Sequence, residues 1–216
     1  NQIFNVGGLG AENISNIKFE KIEKTLKKYK INNSKKYFLI TYHSETFNSK
    51  NDLKNLQILF DSLKLFESNY QLIFTASNFD ENGNNINKYI KQFIKSNEKN
   101  RMQIKSFGHY DYLNIAKNSV LIIGNSSSGI LEIPSLHTPT LNIGIRQRGR
   151  VQGKSVYNSN FRKDQIVSKI RLCLKLKLKK SLNYNPYFKK NTSSKILELL
   201  KKPKLIQYLA KDFKDL

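Results

Sequence analysis

SVLIIGNSSSGILEIPSLHTPTLNIG, Ser119–Gly144, decides the fold. Its first six residues, SVLIIG, form an unbroken apolar run closed by glycine, the pattern of a strand buried on both faces. SSSGILEIPS follows without a spacer and reads as a helix opened by small hydroxyl residues. TPTLNIG, 138–144, is a second strand. A helix between two apolar strands is the crossover that parallel pairing requires.

The same alternation extends upstream. Strands are expected at 37–42 in KKYFLITYH, at 70–77 in YQLIFTAS and, more weakly, at 102–106. Helices are expected over 17–30, 51–67, 85–96 and 110–118. The second has Asn51 or Asp52 to cap it and an apolar face of Leu53, Leu56, Leu59, Phe60 and Leu63. Downstream, RLCLKLKLKK at 171–180 alternates like an edge strand, yet Leu and Lys are good helix formers. It reads as the end of a helix that begins near Lys163. The C-terminus reads as a helix from Asn191 to about Lys201, then Pro203 and a short second helix. The expected fold is α/β, a Rossmann-like doubly wound parallel sheet. Ligands in such sheets sit beyond the carboxyl ends of the strands. The informative loops are therefore those after Tyr42, Thr75, Ile104, Ile123 and Ile143.

Composition narrows the function classes. The 216 residues include 38 Lys or Arg against 16 Asp or Glu, a formal charge of +22. Such a charge suggests nucleic acid or an anionic membrane. However, 32 of the 38 are Lys, spread along the chain, and Asn is abundant at 26, so a solvated basic surface is the expectation. Aromatic residues are not interleaved with Lys as a base-stacking platform needs, so no nucleic-acid partner is expected. No apolar run approaches the roughly 18 residues of a membrane span, so no membrane partner is expected either. Cys173 stands alone, which excludes an internal disulfide and a cysteine-clustered zinc site. His43, His109 and His137 lack metal-ligand spacing, and no metal is expected. No charged-then-apolar leader follows Asn1, so a cytoplasmic protein is expected.

Four features carry chemistry. GNSSSG, Gly124–Gly129, offers backbone N–H groups and the Ser126, Ser127 and Ser128 hydroxyls to an anion at a helix start; an ordinary Ser-capped helix is the alternative. The loop is neither a Walker motif nor GxGxxG. Glu132, two turns into the expected helix, suits ribose hydroxyls or is a surface acid. Arg146, Arg148 and Arg150 surround a glycine at a strand end, as phosphate or carboxylate donors would, or as a solvated turn. His43 ends the first strand in ITYHSET, where a ligand would meet it.

Together these pieces resemble the hydrolysing UDP-N-acetylglucosamine 2-epimerases. NVGGLGAENI is similar to the segment leading out of that family's first domain, ITYHSETF to its histidine strand, and GNSSSGILEIPSLHTPTLNIGIRQRGR to its nucleotide-binding signature. NPYFKKNTSSKI resembles its C-terminal Asn-Pro-Tyr and Asn-Thr-Ser pattern. The resemblance implies the C-terminal half of a glycosyltransferase-B-like fold: an interdomain segment at 1–16, a UDP-binding domain at 17–181 and a helical tail at 182–216. A missing N-terminal Rossmann-like domain would be its partner and would carry most of the acid/base carboxylates. It also implies a UDP-sugar substrate, no cofactor and a homo-oligomer at full length. Carried over by position, His43 would assist the departure of UDP. Asn78 would approach the diphosphate or sugar, and Phe107, through its backbone, and Tyr112 would border the uracil. Ser126 and Ser127 would bind phosphate oxygens, Asn125 would belong to the UDP site, Glu132 would hold the ribose, and Arg146 would stand at the pocket wall. ITYHSET lacks arginines after the histidine and looks closer to the branch that serves sialic-acid-type sugars. A related glycosyltransferase half-domain is the other reading.

Overall fold

The computed structural model describes residues 3–45, 49–77, 81–176 and 185–202. Six strands form one sheet in the order β3-β2-β1-β4-β5-β6: β1 is Tyr37–Thr41, β2 Gln71–Thr75, β3 Arg101–Ile104, β4 Leu121–Gly124, β5 Thr140–Ile143 and β6 Val156–Ser159. Every pairing is parallel; β1 runs Phe38↔Leu72 on one side and Phe38↔Leu121 on the other. Each strand therefore needs a crossover, and the intervening segments supply helices to both faces.

Alternation along β1 divides the core in two. Phe38, Ile40 and Tyr42 join Leu72, Phe74, Leu121 and Ile123 under α3 (Asp52–Leu63), α4 (Glu81–Lys95) and α7 (Lys163–Lys175). Tyr37 and Leu39 face the other way, with Ile73 and Ile122, under α2 (Ile22–Lys28) and α5 (Gly108–Asn118). Period-2 alternation inside a strand covered on both faces explains why each run is apolar throughout. Cys173 belongs to the first cluster, and burial pushes its thiol up to about 11, so it packs as a small hydrophobe.

The architecture agrees with the sequence expectation, with four local differences. Leu9–Asn16 is a helix, α1, within the stretch expected to be an interdomain segment, where no helix was read. The expected helix over 17–30 occupies only Ile22–Lys28. Val156–Ser159 is an edge strand that went unread, because its pattern is short and half polar. Finally, the helix after β4 lasts one turn, α6 (Ser128–Leu131), followed by a 3-10 turn, Ile133–Leu136. Pro134 explains the break, since proline lacks the N–H that would continue the helical ladder. The segment 163–175 is helical, as read; 177–180 and the helix expected after Pro203 lie outside the described residues. The last described helix is α8, Thr192–Leu200.

Among the described residues, no helix is long and apolar enough to cross a membrane, and no three His, Cys, Asp or Glu converge as metal ligands.

Candidate functional site

The chain leaves β1 toward β2 on one side, and β3 returns across to β4 on the other. The carboxyl ends of β1 and β4 thus part at the sheet's switch point. A cleft of about 280 Å³ opens there, lined by Thr41, His43, Thr75, Lys105, Phe107, Tyr112, Ser126 and Ser128 among others. A groove of about 920 Å³ beside α7 is larger, but no strand end contributes to its lining.

Asn125 joins the two central loops. Its side chain accepts the His43 N–H at 2.8 Å and donates to the His43 carbonyl at 2.8 Å. Its own N–H donates to the Thr41 carbonyl at 3.1 Å. The side chain is fully buried, so each bond replaces one that would otherwise be lost to water, at about 1–3 kcal/mol per orphaned group. It acts as an extra rung that carries β1–β4 pairing onward to His43. The imidazole Nδ1 lies 3.5 Å from Ser77 Oγ.

The arginine loop is bound to the same residue. Arg146 Nη1 donates to the Asn125 carbonyl at 3.2 Å and Gln147 Nε2 at 2.8 Å. From the opposite side, buried Glu45 accepts the Ile145 and Arg146 N–H groups at 2.8 and 3.3 Å. Gly144 makes this contact possible: it has φ +81°, and a Cβ there would lie 2.2 Å from Glu45 Oε1. Behind Glu45, buried Asp52 at the start of α3 accepts from Tyr42, Ser44 and the Glu45 N–H at 2.8, 2.5 and 3.3 Å. A carboxylate is favoured at that helix end. Burial, helped by Asp52, drives the Tyr42 phenol far above its ordinary value and keeps it a donor.

Around α6, Ser127 is the N-cap and Tyr112 Oη sits 3.0 Å from Ser128 Oγ. Burial pushes the Tyr112 phenol up to about 12, and the Glu132 charge adds to the rise despite the Ser128 bond. Neither the Ser126 nor the Ser127 N–H has an acceptor among the described residues. One turn carries little macrodipole, so those local donors and the hydroxyls, rather than a helix dipole, would attract an anion.

The expected site residues separate accordingly. His43, Phe107, Tyr112 and Ser126 line the cleft; Asn125 is buried behind it; Ser127, Glu132 and Arg146 stand outside its lining. Glu132 is not two turns into a helix but at the end of one turn, and a Cβ on Gly10 of α1 would lie 3.1 Å from its Oε1. Arg148 and Arg150 are exposed, and Asn78 lies outside the described residues. Sequence reasoning missed Glu45 and Gln147. Their only signal was proximity to the histidine and arginine motifs.

A six-stranded parallel sheet in this order, with its loops meeting at the β1/β4 switch, defines a Rossmann-like α/β domain. The family model described as UDP-N-acetylglucosamine 2-epimerase matches residues 1–201, and the chain belongs to that family. Polysialic acid biosynthesis protein P7 of Escherichia coli is 34% identical over 215 residues, 99% of this chain and 54% of that protein. The GDP/UDP-N,N'-diacetylbacillosamine 2-epimerase (hydrolyzing) of Campylobacter jejuni is 36% identical over 160 residues, 74% of this chain and 41% of that one. Among solved structures, the S. aureus MnaA–UDP co-structure superimposes with a TM-score of 0.67 at 16% identity, covering 98% of this chain and 55% of that chain. The UDP-GlcNAc 2-epimerase from Methanocaldococcus jannaschii also reaches 0.67, at 21% identity over 91% and 55%. These identities speak to fold alone. The chain spans about half the length of the curated relatives it matches.

Proposed function

We propose that this chain is the UDP-binding part of a hydrolysing UDP-sugar 2-epimerase, acting on UDP-N-acetylglucosamine to give N-acetylmannosamine and UDP. The Asn125 pairing carries the reading: it sets the β1 histidine beside the β4 serine loop at the one edge where a diphosphate could meet both. The diphosphate would take the Ser126 and Ser127 donors, with His43 at its flank to assist departure of UDP. Loss of UDP from C1 and of the proton from C2 leaves a 2-acetamidoglucal, and water then adds across the double bond. The carboxylates that move those protons belong, in this reading, to the part of the full-length relatives that the chain does not span. No cofactor enters. A diacetamido sugar nucleotide is the second reading, favoured by the names of two relatives at 36% and 29% identity.

The isolated chain is expected to bind UDP by calorimetry yet release none from UDP-N-acetylglucosamine in a coupled assay. An absence of binding heat, or steady turnover, would count against the assignment. Glu132 supplies a sharper test. A carboxylate accepting two ribose hydroxyls makes charge-assisted bonds of about 1.5–3 kcal/mol each. Glu132→Gln should weaken UDP at least tenfold and barely change a 2′,3′-dideoxy analogue, which already lacks those hydroxyls. Equal losses for both ligands would remove Glu132 from the ribose.

A further inference from the structure

The loop between β3 and α5 forms one wall of the cleft through Lys105, Ser106, Phe107 and Gly108. It turns sharply, with Gly108 at φ +67°, and the Gly108 N–H donates to Ser106 Oγ at 3.1 Å. What holds it comes from outside the cleft. Tyr29 caps the C-terminal end of α2, and its hydroxyl lies 2.9 Å from the Phe107 carbonyl and 2.8 Å from Asp111 Oδ2. Its ring meets the Phe107 ring edge-on, with centroids 4.7 Å apart.

One phenolic proton is shared between two acceptors, both at the start of α5. Lys28 Nζ donates to Asp111 Oδ2 at 2.6 Å, so that carboxylate has a donor of its own. Burial alone would raise the Asp111 carboxyl, but Lys28 and Tyr29 outweigh it and hold the group below its ordinary value. Asp111 is therefore an anion at neutral pH and has no proton for a neighbour. The Tyr29 phenol is the side-chain donor that reaches the Phe107 carbonyl among the described residues. α2 itself is fixed to α5, because Asn114 Nδ2 donates to Thr25 Oγ1 at 2.9 Å, and the segment leading into α2 is held by Tyr110, which donates to the Lys18 carbonyl at 2.9 Å.

We infer that Tyr29 is the positioning residue for the base-recognising end of the site, setting the Ser106–Gly108 backbone through the Phe107 carbonyl. The inference rests on the nucleotide reading of the cleft and goes beyond it by making affinity for the base depend on a residue that touches no ligand. The phosphate end, built on Asn125 and the serine loop, shares no bond with Tyr29.

The test is a UDP titration followed by backbone amide NMR, comparing the parent chain with Tyr29→Phe. In the parent, UDP should shift the Ser126–Ser128 amides and the Ser106–Gly108 amides together. Tyr29→Phe should weaken UDP about tenfold, the worth of one buried hydrogen bond. At saturation it should keep the Ser126–Ser128 response and lose most of the Ser106–Gly108 response. Unchanged affinity with both responses intact would overturn the inference. So would parallel loss of both responses, which would make Tyr29 a support of the fold at large. A parent that never responds to UDP would instead bring down the functional reading itself. Should Tyr29→Phe fail to fold, Asp111→Asn leaves the phenol in place and lets it turn from Phe107 less readily. That variant should retain both responses, and selective loss of the Ser106–Gly108 response there, with the phenol still in place, would overturn the inference equally.

Discussion

Replacing Gly124 with alanine is expected to leave the domain unfolded or melting far below the parent. Gly124 closes β4 at φ +140°, and an added Cβ would lie 1.8 Å from the Thr41 carbonyl oxygen and 2.7 Å from its carbon. These are main-chain atoms of β1, the neighbouring central strand, so no side chain can swing aside. Relief requires the two strands to part at the position where Asn125 N–H meets the same carbonyl. Strain at the dihedral costs about 1–3 kcal/mol and forced overpacking about as much again. The sum is a large share of the ~5–15 kcal/mol that holds a domain together. Gly108→Ala is the natural control: its φ is +67°, but nothing lies within 4 Å of the added atom. It should lose only the ~1–2 kcal/mol of a left-handed non-glycine residue. Urea melts of both variants decide the matter. A Gly124→Ala midpoint no worse than that of Gly108→Ala would show that β1 and β4 are not in such close contact.

Asn125→Asp should be nearly as costly at neutral pH and should recover in acid. The substitution preserves the acceptor for the His43 N–H but sets a second carboxylate oxygen against the His43 carbonyl, where an amide now donates. The site is fully buried, so ionisation there is penalised and about 3 kcal/mol of stability should be lost near pH 7. Protonation restores a donor. The introduced carboxyl should therefore have a folded-state pKa above its unfolded value of about 3.9. The penalty is then small below about pH 4 and grows as pH rises, until the folded group also ionises. Urea midpoints of parent and variant between pH 4 and 8 should diverge with rising pH. A constant gap would mean that the carboxyl never feels its burial. UDP binding should be lost alongside stability, because His43 and the serine loop would no longer share a frame.

The sheet was legible because its central strands are apolar on both faces and stand out as runs bounded by loops, whereas β3, with Arg101 and Gln103, was read more weakly. β6 did not stand out, since an edge strand with Tyr157 and Asn158 partly exposed has no such run. α1 was hidden by the glycines before and within it, which suit close packing: a Cβ on Gly7, ahead of the helix, would meet Thr192 Oγ1 at 2.6 Å. At the site, the motifs pointed to His43, Asn125 and Ser126, whose side chains lie at strand ends. Glu45, Gln147 and Tyr29 were illegible for a shared reason. Each acts on the backbone of a residue far along the chain, as Glu45 does on Ile145, and a backbone partner leaves no mark in the sequence.

Past the end of β1 the chain still keeps the strand's two-residue rhythm. Thr41 and His43 face the cleft, whereas Tyr42 and Ser44 both reach the Asp52 carboxylate on the opposite side. The segment is thus read in parity, odd positions for chemistry and even positions for anchorage. Gaining or losing one residue between Thr41 and Ser44 would exchange the two sets, sending the imidazole into the core and a tyrosine into the cleft. A change of two residues would keep each on its own side. Length variation between Thr41 and Ser44 is therefore quantised, and variants that keep the histidine in the cleft should differ there by even numbers.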